Sequence, residues 1–327
     1  MTFCGRDMLN EDSKVNSITS RIDAITDVYG EWRNAVPPCP PSVKIELTGL
    51  CDLRCWFCAN EKNLRRKGNI SWEFYTRIIK EMREAGVGEL GLFYLGESML
   101  YNRLIEAVAY AKKECGFPYV FLTTNGRLAN PYRLRGCMEA GLDSLKFSLN
   151  WADAEQCKET TQVDGFHNTI GHIGAARVIR DEIEARTGHR CGIYASSIMY
   201  DGEQKERMDR IVKIIRPFVD EHYWLPLYNQ AGLITREGEK FTAGNQGRIG
   251  ALRRPIPCWA LFKEGHITFD GKLSACCFDH DGRFEMGDLN TTPFMEAWQS
   301  APFAALRSKH LEGDIGGTVC EHCVAYA

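Results

Sequence analysis

The segment CDLRCWFCAN, residues 51–60, places three cysteines within eight positions, directly after a run at 43–47 that reads as a strand. Three is an unusual number of thiol ligands. A structural zinc normally takes four protein ligands, and a catalytic zinc held by three thiolates at this spacing would be out of pattern. A cubane cluster of four irons and four sulfides held by three cysteines keeps one iron open, which a small molecule can chelate. The spacing C-x3-C-x2-C therefore describes a deliberately incomplete site, and its place just past a strand governs how the rest of the chain is read.

The chain has 327 residues, 44% hydrophobic and 25% charged, with a formal net charge of −3. It is long enough to bury one large core, or one large domain with a smaller appendage. Beyond the short NLRRKGN at 63–69 there is no dense basic block, which argues against wrapping a nucleic-acid backbone. The first thirty residues lack the pattern of a secretion signal, and no apolar run approaches the roughly 18 residues of a membrane span. A cytoplasmic protein with neither nucleic-acid nor membrane partners is expected. In that reducing compartment, clusters among the 14 cysteines read as metal ligands before disulfides.

Outward from the cysteines, a helical spacing of Val15, Ile18, Ile22, Ile25, Val28, Tyr29 and Trp32 predicts a leader helix over 15–32, ended by VPPCPP at 36–41. Six apolar runs then follow: VKIELTG, ELGLFYLG, YVFLTTNG, SLKFSLN, GIYASSIMY and YWLPLY. Helix-like stretches near 72–86, 101–115, 130–141, 168–187 and 203–216 separate them. Strands apolar nearly throughout and alternating with helices suit a parallel sheet covered by helices. Six such units make either an incomplete barrel or an open doubly wound sheet, and in both the active groups sit at the carboxyl ends of the strands. After about residue 231 the chain turns polar and glycine-rich. HITFDGKLSAC then predicts a hairpin turning at Asp270-Gly271, followed by a helix over 293–309.

The cysteine triplet, with the aromatic Phe57 just before its last member, resembles the signature of the radical S-adenosylmethionine enzymes. The resemblance covers roughly residues 42–230 and implies a partial (β/α)6 barrel. It implies that Cys51, Cys55 and Cys58 hold a 4Fe–4S cluster whose open iron is chelated by S-adenosylmethionine. The cofactor then supplies a 5′-deoxyadenosyl radical, chemistry that no amino-acid side chain offers. On the same resemblance LGES at 95–98 stands where the family has Gly-Gly-Glu, with Leu95 in place of the first glycine. Glu97 then meets the methionine ammonium. Asn125, at the end of the third strand, and Ser148 and Asn150, at the end of the fourth, stand where the family contacts the rest of the cofactor. Each of these could equally be a polar strand or turn cap.

A second set, Cys258, Cys276, Cys320 and Cys323, reads as C-x12-G-x4-C with a terminal C-x2-C. It resembles the auxiliary domain carried by many of these enzymes, in the shorter Twitch form of the SPASM domain, and implies a second, fully ligated 4Fe–4S cluster over 231–327. Taken alone, the set could as well be structural zinc. Cys277, next to Cys276, is either a thiol that returns hydrogen to a substrate radical or a small apolar residue on the opposite face of the hairpin. Cys4, Cys39, Cys115, Cys137, Cys157 and Cys191 have no ligand spacing, and Cys115 and Cys137 are expected on helices. His280, His310 and His322 surround the second set, in supporting or surface roles. Tyr228 and Asn229, after the sixth strand, are candidate substrate contacts. Arg190, Lys146 and His167 are candidate bases that spacing does not rank.

The two-cluster layout resembles the 2-deoxy-scyllo-inosamine dehydrogenase of butirosin biosynthesis. That resemblance implies antibiotic biosynthesis, with hydrogen removed from a carbon of a sugar, aminocyclitol or aminoglycoside and the product oxidised through the second cluster. A flavodoxin- or ferredoxin-type reductant would feed the first. Epimerisation is a near relative of that outcome. The alternatives are a maturase acting on a ribosomally made peptide, and an iron–sulfur protein that carries electrons or binds S-adenosylmethionine without catalysis. About 40 residues before the first strand are too few for a separate leader-peptide-binding domain, which favours a small-molecule substrate.

Overall fold

The computed structural model describes residues 17–200, 202–235, 256–321 and 323. Cys4, the start of the expected leader helix, most of the polar linker and His322 lie outside the described residues. Six parallel strands form at the six apolar runs: β1 (Ser42–Ile45), β2 (Glu89–Gly91), β3 (Tyr119–Thr124), β4 (Ser144–Ser148), β5 (Gly192–Ile198) and β6 (Glu221–Leu225). Three more, β7 (Glu264–Ile267), β8 (Lys272–Ser274) and β9 (Glu285–Asp288), extend the same sheet on the far side of β1. The spatial order is β6-β5-β4-β3-β2-β1-β7-β8-β9, an unclosed sheet.

Between strands lie α2 (Trp72–Ala85), α3 (Leu104–Ala109), α4 (Pro131–Glu139), α5 (Ala154–Thr161), α6 (Phe166–Thr187) and α7 (Gly202–Ile215). Their formation follows local chemistry. In α2 the Ser71 side chain accepts from the Phe74 amide at the start, Phe74, Tyr75, Ile78, Ile79 and Met82 face inward, and Gly86 at φ +110° ends the helix. The stretch near 101–115 continues past α3 as a π-helical turn, Tyr110–Glu114, which seats the Tyr110 ring against Trp72 and Tyr75. Cys137 lies on α4, whereas Cys115 only caps that π-helical turn.

The leader helix is shorter than its apolar spacing predicts: α1 spans Ile18–Thr26, and Gly30–Trp32 is a separate 3₁₀ turn. Lys263 explains the early stop, since its ammonium donates to the Ala24 and Asp27 carbonyls (2.6 and 3.0 Å). α1 crosses the amino ends of the strands. Arg21 pairs with Glu89 at the start of β2 (2.7 Å), and the Thr19 hydroxyl donates to Glu221 at the start of β6.

The expected hairpin is β7 and β8, antiparallel, with Gly271 at φ +88° in the turn and a Thr268 hydroxyl that donates to Asp270 (2.6 Å). The helix expected over 293–309 is two, α8 (Phe294–Trp298) and α9 (Ala301–Glu312); Ser300 precedes the second with its hydroxyl donating to the Met286 carbonyl (3.2 Å), and Pro302 stands in the first turn. β7 pairs in parallel with β1, and one hydrophobic core runs from Val43 and Ile45 through Phe262, Ile267 and Trp298 to Cys320. The carboxyl-terminal part therefore shares the sheet and core of the barrel.

One contact controls the carboxyl-terminal face. Gly96, just past β2, lies so close to the loop after β1 that a Cβ there would stand 2.0 Å from the Thr48 carbonyl oxygen and 2.7 Å from that of Leu50. Both obstacles are backbone. Gly96→Ala is expected to cost about 3 kcal/mol or more, read as a lowered thermal midpoint, with iron lost in parallel; a midpoint within a degree of the parent would refute the tight approach.

Candidate active site

The cysteine loop is closed at its base. The Ile70 amide donates to the Leu47 carbonyl and the Gly49 amide to that of Gly68, both at 2.9 Å, so residues between 49 and 68 form one excursion from the end of β1. Three further anchors shape it. The Arg54 and Trp56 amides donate to the Thr161 and Thr160 carbonyls (2.9 and 3.1 Å) at the end of α5. The Asn60 side chain donates to the Leu95 carbonyl (2.8 Å), and Lys67 donates to the Asn60 side chain (2.6 Å). The Gln230 side-chain oxygen accepts from the Ala59 amide (2.8 Å), and Gln230 also hydrogen-bonds the Cys58 sulfur.

Cys51, Cys55 and Cys58 thereby meet in one half-buried group. Burial pushes all three thiols up, Cys51 to about 12, and each of Cys51 and Cys55 is raised further by its neighbours in the group. Among the described residues no three His, Cys, Asp or Glu side chains are gathered tightly enough for one metal ion. A cubane is broader than one ion, and three thiols that repel as anions suit a group whose net positive iron charge relieves them. The donor set fits the cluster that the spacing implies.

Glu97 follows the tight approach at Gly96. Its amide donates to the Leu50 carbonyl (2.8 Å), and its buried carboxylate accepts from the Met99 and Asn125 amides (2.9 and 2.8 Å) and from the Thr124 hydroxyl (2.9 Å). Burial outweighs those donors and, with the Asp52 charge, raises the carboxyl to about 7. A carboxylate held this way beside Cys51 gains from an ammonium neighbour, and so it fits the amino group of S-adenosylmethionine.

The other expected cofactor contacts divide. Ser148 lines a cavity enclosed by the strands and α1. The Asn125 side chain is spent within the loop structure: it donates to Asp52 (2.8 Å) and accepts from the Arg127 amide (2.9 Å), while Arg127 pairs with Asp52 (2.9 Å). Asn150 accepts from the Ile198 amide (3.1 Å), tying β4 to β5. Phe57 packs edge-on against Trp56, ring centroids 5.5 Å apart. Asp52, Arg127 and Gln230 carry no signature in the sequence and are found only here.

The second set also converges. Cys320 feels the charges of Cys258 and Cys323, and Cys276 that of Cys258. Burial raises the Cys320 thiol, as it does in the first set. The His310 ring nitrogen accepts from the Cys258 amide (3.3 Å), a supporting place, whereas His280 is buried and neutral, driven down to about 3 by burial and by Arg65 and Lys67. The alternation that would turn Cys277 to the opposite face of the hairpin stops at the end of β8. Cys277 and Phe278 lie in a turn, and Cys277 faces the cavity while hydrogen-bonding the Cys276 thiol.

That cavity, about 380 Å³, is lined by residues of β1 to β4, β6 and β7 and by one face of α1. Lys44, Thr123, Lys146 and Ser148 line one side and Tyr228, Gln230, Cys277 and Phe278 the other. The Tyr94 hydroxyl donates to the Cys276 carbonyl, so the exit of β2 reaches the second set directly. Tyr228 packs against Phe278 (5.6 Å), whereas Asn229 is buried and is not among the residues that line the cavity. The three candidate bases now separate: Lys146 lines the cavity, Arg190 is bound to Glu184 and Asp220 (both 2.8 Å), and His167 is exposed on α6.

Residues 45–213 match the model of the radical SAM superfamily, just over half of the chain. The chain belongs to that superfamily. Residues 258–324 match an iron–sulfur cluster-binding domain, the SPASM domain. Together the two matches imply an iron–sulfur cluster and S-adenosylmethionine, with a second cluster suggested by the second domain. A GTP 3′,8-cyclase of Chlorobaculum tepidum is 25% identical over 300 residues, covering 82% of this chain and 90% of its own. Among solved structures, SuiB of Streptococcus suis bound to its precursor peptide SuiA aligns with TM-score 0.66 at 15% identity, over 89% of this chain and 71% of its own. BtrN, the butirosin dehydrogenase of this superfamily, in complex with AdoMet and 2-DOIA aligns with TM-score 0.58 at 15% identity, over 87% and 91%. At such identities these two likenesses concern the fold. No helix among the described residues is long and apolar enough to cross a membrane.

Anaerobic reconstitution is expected to load about eight irons per chain, falling to about four when Cys51, Cys55 and Cys58 are all replaced by alanine. Zinc in place of the remaining iron would make the second set a structural staple.

Proposed function

We propose that this enzyme acts on a carbon of a small polar substrate held in the cavity and leaves it oxidised, with epimerisation as the second reading. The observation that carries the proposal is the shared cavity. Its wall runs from Ser148, at the carboxyl end of β4, to Cys277, next to a thiol of the second set. One substrate carbon can therefore be served from both sides. When bound, the two clusters and S-adenosylmethionine would supply a radical able to remove hydrogen from unactivated carbon on one side and an acceptor for one electron on the other.

The chain's own residues supply the rest. Cys51, Cys55 and Cys58 would hold the first cluster, Glu97 the cofactor ammonium, and Cys258, Cys276, Cys320 and Cys323 the second cluster. Tyr228 and Ser148 offer hydroxyls to substrate, while Phe93, Phe121 and Phe278 exclude water from much of the wall. Low local polarity strengthens each polar contact inside. Cys277 favours the second reading, since a thiol at the cavity wall can hand its hydrogen to a substrate carbon and be restored by an external reductant.

The cyclase name of the sequence relatives would point to a nucleoside triphosphate. A cavity whose lining carries one unmatched cation does not balance the several negative charges of a triphosphate. A peptide substrate, as in the SuiB structure, would have to reach the same cavity with one side chain.

The test begins with reduced, reconstituted enzyme and S-adenosylmethionine, which should release 5′-deoxyadenosine slowly even without substrate; no nucleoside would remove the proposal and leave an electron carrier. With substrate in D₂O, oxidation leaves no deuterium at the reacting carbon. Epimerisation places one deuterium there, and Cys277→Ala should then abolish that incorporation while nucleoside formation continues.

A further inference from the structure

Five charged side chains line the cavity, and four of them are matched: Arg21 with Glu89 at 2.7 Å and Lys44 with Glu264 at 2.6 Å. Glu264 also hydrogen-bonds the buried His266 ring at 2.9 Å. Burial would raise that carboxyl, but Lys44 and His266 pull it down by more, to about 2, so it is an anion already committed to its neighbours.

Lys146 is the fifth. It sits mid-strand in β4 between Leu145 and Phe147, which point into the core, and its side chain faces the cavity with Ser144 and Ser148. Among the described residues no carboxylate or hydrogen-bond acceptor meets its ammonium. The one charge it feels is another cation, Lys44, and burial together with Lys44 draws it down to about 8. A second polar group in the same cavity is also unmatched: the Tyr228 hydroxyl is buried and has no partner among the described residues.

A half-buried cation without a counter-ion weakens a fold, and an apolar residue of similar length would relieve it. The arrangement is balanced once a ligand brings one negative charge. We propose that Lys146 is the recognition residue for an oxyanion carried by the substrate, a carboxylate or a phosphate group. This rests on the cavity being the substrate site, and it narrows the substrate to an acidic one. A polycationic aminoglycoside would meet Lys146 with like charge, whereas an acidic sugar, a sugar phosphate or an acidic side chain completes the pairing.

The experiment uses the reconstituted full-length enzyme and two probes, sodium acetate and inorganic phosphate, against sodium chloride at equal ionic strength. Thermal midpoints are measured for the parent, Lys146→Met and Lys146→Arg. A saturable rise of roughly 2 °C is expected for the parent at ten times the dissociation constant. Lys146→Arg should keep the rise, and Lys146→Met should lose it while melting higher than the parent in chloride. A response to acetate alone assigns a carboxylate, and one to phosphate alone a phosphate group. No saturable rise in the parent, or the same rise in Lys146→Met, overturns the proposal. Nucleoside release by the parent without substrate, measured alongside, separates the two failures: if it is present and the anion response is absent, only the anion assignment falls.

Discussion

The approach of Gly96 to the backbone of Thr48 and Leu50 is the contact on which the carboxyl-terminal face depends. With no side chain between them, the exit of β2 lies directly on the loop leaving β1. The next residue can then place a carboxylate against the cysteines. Glu97 completes the junction by donating its own amide to Leu50 and taking three donors from Met99, Thr124 and Asn125. A buried carboxylate with so many donors is a rigid object. It orients the β3 exit as firmly as it would orient a ligand.

The same logic of matched charge organises the interior. Pairs such as Arg21–Glu89 and Lys44–Glu264 hold the lower cavity in one arrangement, and α1 closes its floor. Removing one partner of such a pair typically leaves the other charge stranded at about 3–5 kcal/mol. The charges that line the cavity are thus tolerated in pairs, and Lys146, which has no such partner among the described residues, marks where a charged ligand belongs.

Much of this was legible in the sequence. The six apolar runs became the six parallel strands because their period and flanking helices agree, and the C-x3-C-x2-C spacing needs no partner from elsewhere to be read. What stayed hidden depends on residues far apart. α5 is a short polar helix, AEQCKETT, whose role is to offer the Thr160 and Thr161 carbonyls to the cysteine loop. β9, EMGD, has no strand pattern of its own and forms because β8 presents an open edge. Gln230, in a left-handed conformation (φ +49°) unusual for its type, is placed by contacts with Ala59 and Cys58 some 170 residues earlier, at a separation of 171 for the Ala59 bond. The sequence left two facings open for Cys277, because the alternation that would turn it to the opposite face can be read past the end of β8, where the strand stops.

The pairing of β7 with β1 bears on how the chain is made. β1 lies inside the sheet, yet one of its two partners arrives late: the Lys44–Glu264 ion pair that joins the strands spans 220 residues of sequence. During synthesis Val43 and Ile45 leave the ribosome long before the strand that will cover their exposed backbone edge. The six-strand half can assemble in order, but it waits with an open edge at the strand that carries the cysteine loop. A chain released before residue 264 would present, at the strand that leads into the cysteine loop, a sheet edge open to pairing with its neighbours.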